Sequence, residues 1–177
     1  MLILQPTGLY FLGDSLERQK QDLCLHGHIL FRIGKDTLGY GDYCVSAAAM
    51  RFLRTLTENH YVSESDQLLP CCGHNMFASP DKMSVDIGSC PDGDDFDILH
   101  ENGGITVICH DWGTYHLDYA EYCDTVLGFC AAVEQFYRDN PRDLADTDAA
   151  EHDAFEAYWN EWNRRMAAAK AANQERR

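Results

Sequence analysis

The strongest constraint on this fold is a change of period along the chain. Between Met83 and Tyr119 apolar residues alternate with polar ones, and beyond that point helix signals take over. Met83, Val85 and Ile87 alternate with Ser84 and Asp86, and Asp95–His100 is a second candidate strand. Ile105, Val107 and Cys109 share the inner face of a third strand, and Tyr115, Leu117 and Tyr119 that of a fourth. Period two is the spacing of a half-buried strand. Asn102-Gly103 stands between the second and third. A tight type I′ turn needs positive φ at both central residues, which Asn and Gly tolerate. Asp111-Trp112-Gly113-Thr114 makes a further turn. The segment reads as an antiparallel meander with one solvated face.

Two helices are expected after it. Asp118 and Glu121 have the spacing of a capping box, with Asp in the capping place, before a helix over Ala120–Arg138. Pro141 ends that helix, because proline lacks the N–H and clashes with the preceding turn. Asp148 and Glu151 repeat the spacing before a last helix, whose stripe is Phe155, Tyr158, Trp159, Trp162, Met166 and Ala169. At helical steps such a stripe reads as core rather than as an exposed recognition surface. Earlier, Leu23–Ile33 reads as a strand, Gly34-Lys-Asp-Thr as a turn, and Val45–His60 as a helix carrying Ala49, Phe52, Leu53 and Leu56 on one face. Strands followed by helices argue an α+β fold, an antiparallel β meander packed against about three helices, the last two C-terminal. The 177 residues make one domain, 1–177, with Met1–Gln21 as an N-terminal extension and about 167–177 as an Ala-rich helical tail.

Charge is the second constraint. From Met83 to Tyr137 there is no Lys or Arg but eleven Asp and Glu, so this segment carries 11 of the 15 net negative charges. Such density makes the folded state repel itself. An acidic chain repels nucleic acid and anionic membrane, so neither is expected as a partner, and a basic protein is. No apolar run approaches the roughly 18 residues of a membrane span. Met-Leu-Ile-Leu-Gln-Pro lacks a basic leader, so a cytoplasmic location is expected, with the eight cysteines as thiols rather than disulfides. Cys109, Cys123 and Cys130 fall on apparent core faces.

Several motifs admit a chemical reading. Cys71, Cys72 and His74, with Cys90 downstream, carry zinc-type ligands, but adjacent cysteines rarely bind one ion and no second C-x₂-C pair exists. The alternative is thiols in a turn, so no metal and no cofactor is expected. The same residues with His110 could serve a small cysteine- or metal-dependent hydrolase. Cys109-His110-Asp111 cannot form a triad alone, because strand neighbours point to opposite faces. Asp92-Gly-Asp-Asp-Phe-Asp fails the calcium-loop pattern, since Phe96 takes a ligand position and no Gly follows at the sixth. The loop reads instead as part of an acidic contact surface, Asp92, Asp94, Asp95 and Asp97 with Glu101 and Asp111.

Leu69-Pro-Cys-Cys-Gly73, Cys90-Pro-Asp-Gly93, Phe136-Tyr-Arg138 with Pro141, and Trp159-Asn-Glu-Trp162 resemble a group of small cytoplasmic bacterial proteins. Some of that group look like immunity proteins encoded beside polymorphic or contact-dependent toxins. The resemblance covers roughly residues 23 to 165 and carries no functional residues with it. It implies a protein that neutralises a basic, cytoplasm-acting toxin by direct contact, without catalysis. The alternatives are the hydrolase above and a self-associating structural module, a homo-oligomer.

Overall fold

A computed structural model describes residues 1–73, 75–89 and 91–175. His74 and Cys90, two members of the candidate metal set, lie outside the described residues. The elements in chain order are β1 (Leu2–Tyr10), α1 (Leu16–Gln21), β2 (His26–Ile33), β3 (Asp36–Cys44), α2 (Val45–Arg54), β4 (Leu69–Pro70), β5 (Asn75–Ala78), β6 (Val85–Gly88), β7 (Gly93–Asp94), β8 (Asp97–Glu101), β9 (Gly104–Cys109), β10 (Gly113–Leu117), α3 (Tyr119–Asp139) and α4 (Ala149–Glu175). Among the described residues the ladders are all antiparallel: β1-β2-β3, β10-β9-β8, and the two-stranded β4-β7 and β5-β6. The fold is α+β, with its last two helices C-terminal. No described helix is long and apolar enough to cross a membrane.

Helix α2 is the axis of the core. Every residue from Val45 to Leu53 is buried. Three consecutive alanines leave no polar stripe to face water, and a helix of that kind needs neighbours on all sides. It contacts β2, β3 and β4 as well as α3 and α4. Phe52 meets Phe31, Phe96 and Phe129, so residues from β2, from the link between β7 and β8 and from α3 converge on one aromatic cluster.

Local signals hold where they were strongest. Asn102 and Gly103 have φ of 50° and 81°, as a type I′ turn requires. Asp118 Oδ1 accepts from the N–H of Glu121 at 3.0 Å, and Asp148 Oδ1 from that of Glu151 at 2.8 Å, so both expected caps form. Trp162 is fully buried, and Tyr158 and Met166 join it in the core.

Other expectations change. The four-strand meander is a three-strand one, because Val85–Gly88 pairs with Asn75–Ala78 rather than with its successor. The helix expected to reach His60 stops at Arg54. Leu56 N–H then closes a tighter bond to Leu53 O, and His60 forms a bridge to Ile98, with two bonds of 2.9 Å. Strand β3 had no alternating apolar signal, since it carries Gly39 and Gly41. A Cβ at Gly39 would stand 2.2 Å from Leu69 Cδ1, so the missing side chain is what lets β4 close on β3. The N-terminal extension is integral: β1 pairs with β2 along most of its length, burying Leu2 and Leu4. The Ala-rich tail is also packed. It continues α4 to Glu175, with Ala169 buried and Asn173 donating to Asp124 at 2.8 Å.

Candidate functional site

The acidic segment divides into two kinds of carboxylate. Loop 59–68 has little ladder of its own, so its backbone amides need other acceptors. Asp95 supplies them. Its side chain is 6% exposed, and its oxygens accept from Ser63 N–H (2.9 Å), Leu68 N–H (3.0 Å) and the His60 ring at 2.8 Å. Asp97, half-buried, accepts from Val62 N–H at 2.8 Å. Phe96 between them stacks on Phe31 at 4.9 Å, which turns both flanking carboxylates toward the loop. Asp94 is exposed and takes the Tyr43 hydroxyl. Burial, with that bond added, raises the Tyr43 phenol above its ordinary range.

The remaining acids face solvent at different places. Asp92 is exposed, and its carbonyl accepts from Cys71 N–H at 3.2 Å, which joins the Cys71–Cys72 turn to the acidic loop. Asp111 and Trp112 occupy the β9–β10 turn, and Trp112 is 56% exposed. The Tyr115 hydroxyl lies 3.1 Å from Asp36 Oδ2 and 3.3 Å from Trp112 O, so this turn is tied to the start of β3. Asp94 stands by Gly39, farther along that strand. Asp92, Asp94, Asp111, Asp36 and Trp112 therefore gather around β3. Glu101, in register with Gly104, is at the opposite end of β8 from Asp97, roughly 13 Å away at 3.3 Å per residue. The six expected contact residues thus spread over several elements, and Asp95 among them is buried under its own hydrogen bonds. Trp112 was missed as a candidate because the sequence showed only a turn there.

A second cluster, also missed, is built from sulfur. Cys44 ends β3 and caps α2, while Cys24 lies just before β2. The register pairs His26 with Cys44 and extends through Leu25 and Ser46, whose bonds are 3.2 Å. Cys24 and His26, two apart, share the face that meets Cys44. Both thiols are buried. Cys24 Sγ also lies 3.3 Å from Gly73 O, and Cys44 Sγ 3.5 Å from Ser46 Oγ. A Cβ at Gly73 would come within 2.9 Å of Cys44 Sγ, so only glycine lets residues 71–73 close over the sulfur.

Electrostatics separate the two sulfurs. Neighbouring Cys24 first, then Ser46, the Ala47 N–H and His26, pull Cys44 below the ordinary thiol value against its complete burial. Cys44 beside it, with burial, pushes Cys24 up. Burial works against charge on His26, but Asp22, 3.5 Å away, outweighs it and raises the imidazole. Asp22 is lowered: burial opposes its charge, but His26 and the N–H groups of Cys24 and Leu12 prevail. The set has the residue types of a cysteine–histidine–aspartate nucleophile. Yet Cys44 has no exposed surface, and Cys24 and His26 are 3% and 7% exposed. A substrate carbonyl has no approach to that sulfur. A cavity of about 170 Å³, bordered by Asp22, Cys24, Met76 and Glu151, opens beside Cys24 and does not touch Cys44.

The expected hydrolase residues are dispersed. His110 is exposed beside the β9–β10 turn, Cys71 is exposed and Cys72 half-buried after β4. Among the described residues one group of metal-ligand type draws together, His152, Asp153 and Glu156. Lys82 Nζ already stands there, 2.6 Å from Asp153 and 3.0 Å from Glu156, and supplies the cation. No protein-family model, no curated protein and no solved structure matches this chain.

Proposed function

We propose that this chain is a non-catalytic binding protein that neutralises a basic, cytoplasm-acting bacterial toxin domain, the immunity-type role its sequence resembles. The supporting observation is that most of the eleven carboxylates between residues 83 and 137 stay at the surface, with no Lys or Arg among them. Their field attracts a cationic partner over about a Debye length and raises its on-rate. It also opposes pairing of two copies, each carrying a net charge of −15. The contact surface is Asp92, Asp94 and Asp111 with Asp36, and Trp112 is its apolar anchor, since exposed Trp ringed by polar groups is a common hot spot. Asp95 and Asp97 act indirectly, by holding loop 59–68, and Glu101 adds to the long-range field. The hydrolase reading loses ground because its surface cysteines and His110 sit on separate elements, while the activated sulfur is enclosed.

Surface plasmon resonance against the toxin domain encoded beside this gene tests the reading. Association should slow steeply between low and high salt, with dissociation changing less. Asp92→Asn with Asp111→Asn should slow association at low salt, and Trp112→Ala should speed dissociation. Rates unchanged by all three substitutions would move the interface elsewhere. Absence of binding, with no protection of cells expressing the toxin, would end the proposal.

A further inference from the structure

We propose that the free edge of β1 is a docking site for an extended basic peptide segment, which adds to the sheet as a fourth strand in the groove between β1 and α3. The site lies across the sheet from β3 and the acidic surface gathered there, and it stands whether or not the toxin-binding reading holds.

The two edges of the sheet differ. At one, β4 packs against β3, with Leu69 filling the space over Gly39. At the other, β1 has β2 on one side alone. Gly34 N–H donates to Met1 O at 3.0 Å, and bonded pairs alternate along an antiparallel ladder. Ile3, Gln5 and Thr7 therefore bond to β2, while Leu2, Leu4 and Pro6 turn their backbone polar groups outward. Two contacts agree with that phase. Leu2 N–H donates to Glu121 Oε1 at 3.1 Å, beyond the sheet, and proline stands at position 6, where no donor to β2 is needed. Among the described residues Leu4 N–H and C=O carry no bond beyond the ladder. Edge strands are ordinarily guarded by charge, proline or a bulge. Pro6 and the irregularity between Thr7 and Tyr10 guard the far half of β1, but Leu2–Gln5 bears no charged side chain.

Helix α3 walls the groove. It runs beside the strand from Glu121 at Leu2 to Phe136 at Phe11, whose rings are 5.6 Å apart. The groove between them, of about 410 Å³, is lined by residues 2–6 of β1 and by Asp124, Thr125, Gly128 and Ala132 of α3. Gly128 and Ala132 are exposed, and a Cβ at Gly128 would meet nothing within 4 Å, so the wall leaves room for side chains of another strand. An antiparallel strand would exchange both bonds with Leu4 and donate to the carbonyls of Leu2 and Pro6. Its inward side chains are small and apolar where they meet Gly128 and Ala132. Charge selects its end. Glu121, with its side chain 46% exposed, and exposed Asp124 stand toward Leu2, and neither β1 nor α3 carries a Lys or Arg before Arg138. A terminal Lys or Arg on the entering strand answers those carboxylates. A second copy of β1 brings no Lys or Arg, and it brings a net charge of −15 with it.

The test follows amide hydrogen exchange of the isotope-labelled protein by NMR while a short capped peptide of valine and threonine, with lysine at both ends, is added. At about ten times its Kd the peptide should slow exchange of the Leu4 N–H about tenfold, since only unbound protein exchanges there. The same peptide ending in glutamate should slow it far less. Gly128→Phe fills the groove from a position with open space, so the variant should fold like the parent and lose the slowing, while Gly128→Ala should keep it. Slowing that survives Gly128→Phe, equal slowing by the glutamate peptide, or no slowing at the solubility limit of the lysine peptide would each overturn the proposal. A dimer of the parent in sedimentation, lost in Gly128→Phe, would give the edge to a second copy and overturn it as well.

Discussion

The two ends of α2 are both polar, but they are made of opposite chemistry. At the amino end the groups are buried thiols and hydroxyls: Cys44, Cys24 and Ser46, with Tyr158 donating its hydroxyl to Ser46 O at 2.9 Å. At the carboxyl end they are ionic. Arg51, 1% exposed, meets Asp66 at 2.7 Å and donates to the carbonyls of Gln67 and Ile87. Arg54 pairs with Glu161 at 2.9 Å, and Arg165 reaches the same carboxylate at 2.7 Å. Each end suits the helix dipole, which favours negative charge at the start and positive charge at the finish. The contrast separates two uses of a buried polar group. The guanidinium of Arg51 holds two loops by serving several carbonyls at once, so removing it strands acceptors. The thiols serve fewer acceptors, with Cys24 Sγ 3.3 Å from Gly73 O.

The largest effect should come from the residue that supports both ends. Trp162 stacks on Tyr158, which reaches the sulfur end, and neighbours Glu161, which reaches the ionic end. Trp162→Ala should destabilise the protein by about 3–5 kcal/mol, seen as a lower urea midpoint. A parent-like midpoint would mean that α4 is not what couples the two ends.

The ionic end alone should respond next. Burial opposes the charge of Glu161, but Arg54, the Val85 N–H and Arg165 outweigh it and lower its carboxyl from 4.5 to about 2. A depressed carboxyl stabilises fully above its unfolded value and loses that contribution as pH falls through the folded one. Stability should therefore drop between about pH 4.5 and pH 2, by an amount on the order of 3 kcal/mol for this group. Glu161→Gln should remove a similar amount at pH 7 and flatten the acid limb. Unfolding free energies measured across that window check the sign, and a variant as acid-sensitive as the parent would contradict it.

The smallest effect belongs to the sulfur end. Cys24→Ala under reducing conditions removes the thiol donor from Gly73 O, a loss of about 1 kcal/mol. A loss as large as that for Glu161→Gln would erase the distinction between the two ends and make the dithiol a structural lock.

Much of this was legible in the residues, unevenly. Asp118, Asp148, Pro141 and Asn102-Gly103 announced their structures because each acts on backbone within a few residues of itself. Strand β3 was illegible because Gly39 and Gly41 erase the alternation, and Gly39 makes room for Leu69, far along the chain. The candidate site was harder. Asp95 reads the same as Asp92 in the sequence, and what distinguishes them is the set of amides in loop 59–68 that Asp95 serves. Cys24 and Cys44 drew no notice beside the Cys71–Cys72 doublet, since nothing local says that a β2–β3 hairpin will bring them together.

The α+β class, the two C-terminal helices, their caps, the Asn102-Gly103 turn and the excess of negative charge follow from the chain alone, because they depend on neighbours in sequence or on composition. The tertiary structure decided which carboxylates and which aromatic rings stay at the surface, and which thiols are enclosed. Those outcomes rest on distant backbone groups supplying or withholding hydrogen bonds and solvent, and burial of that kind has no period to read.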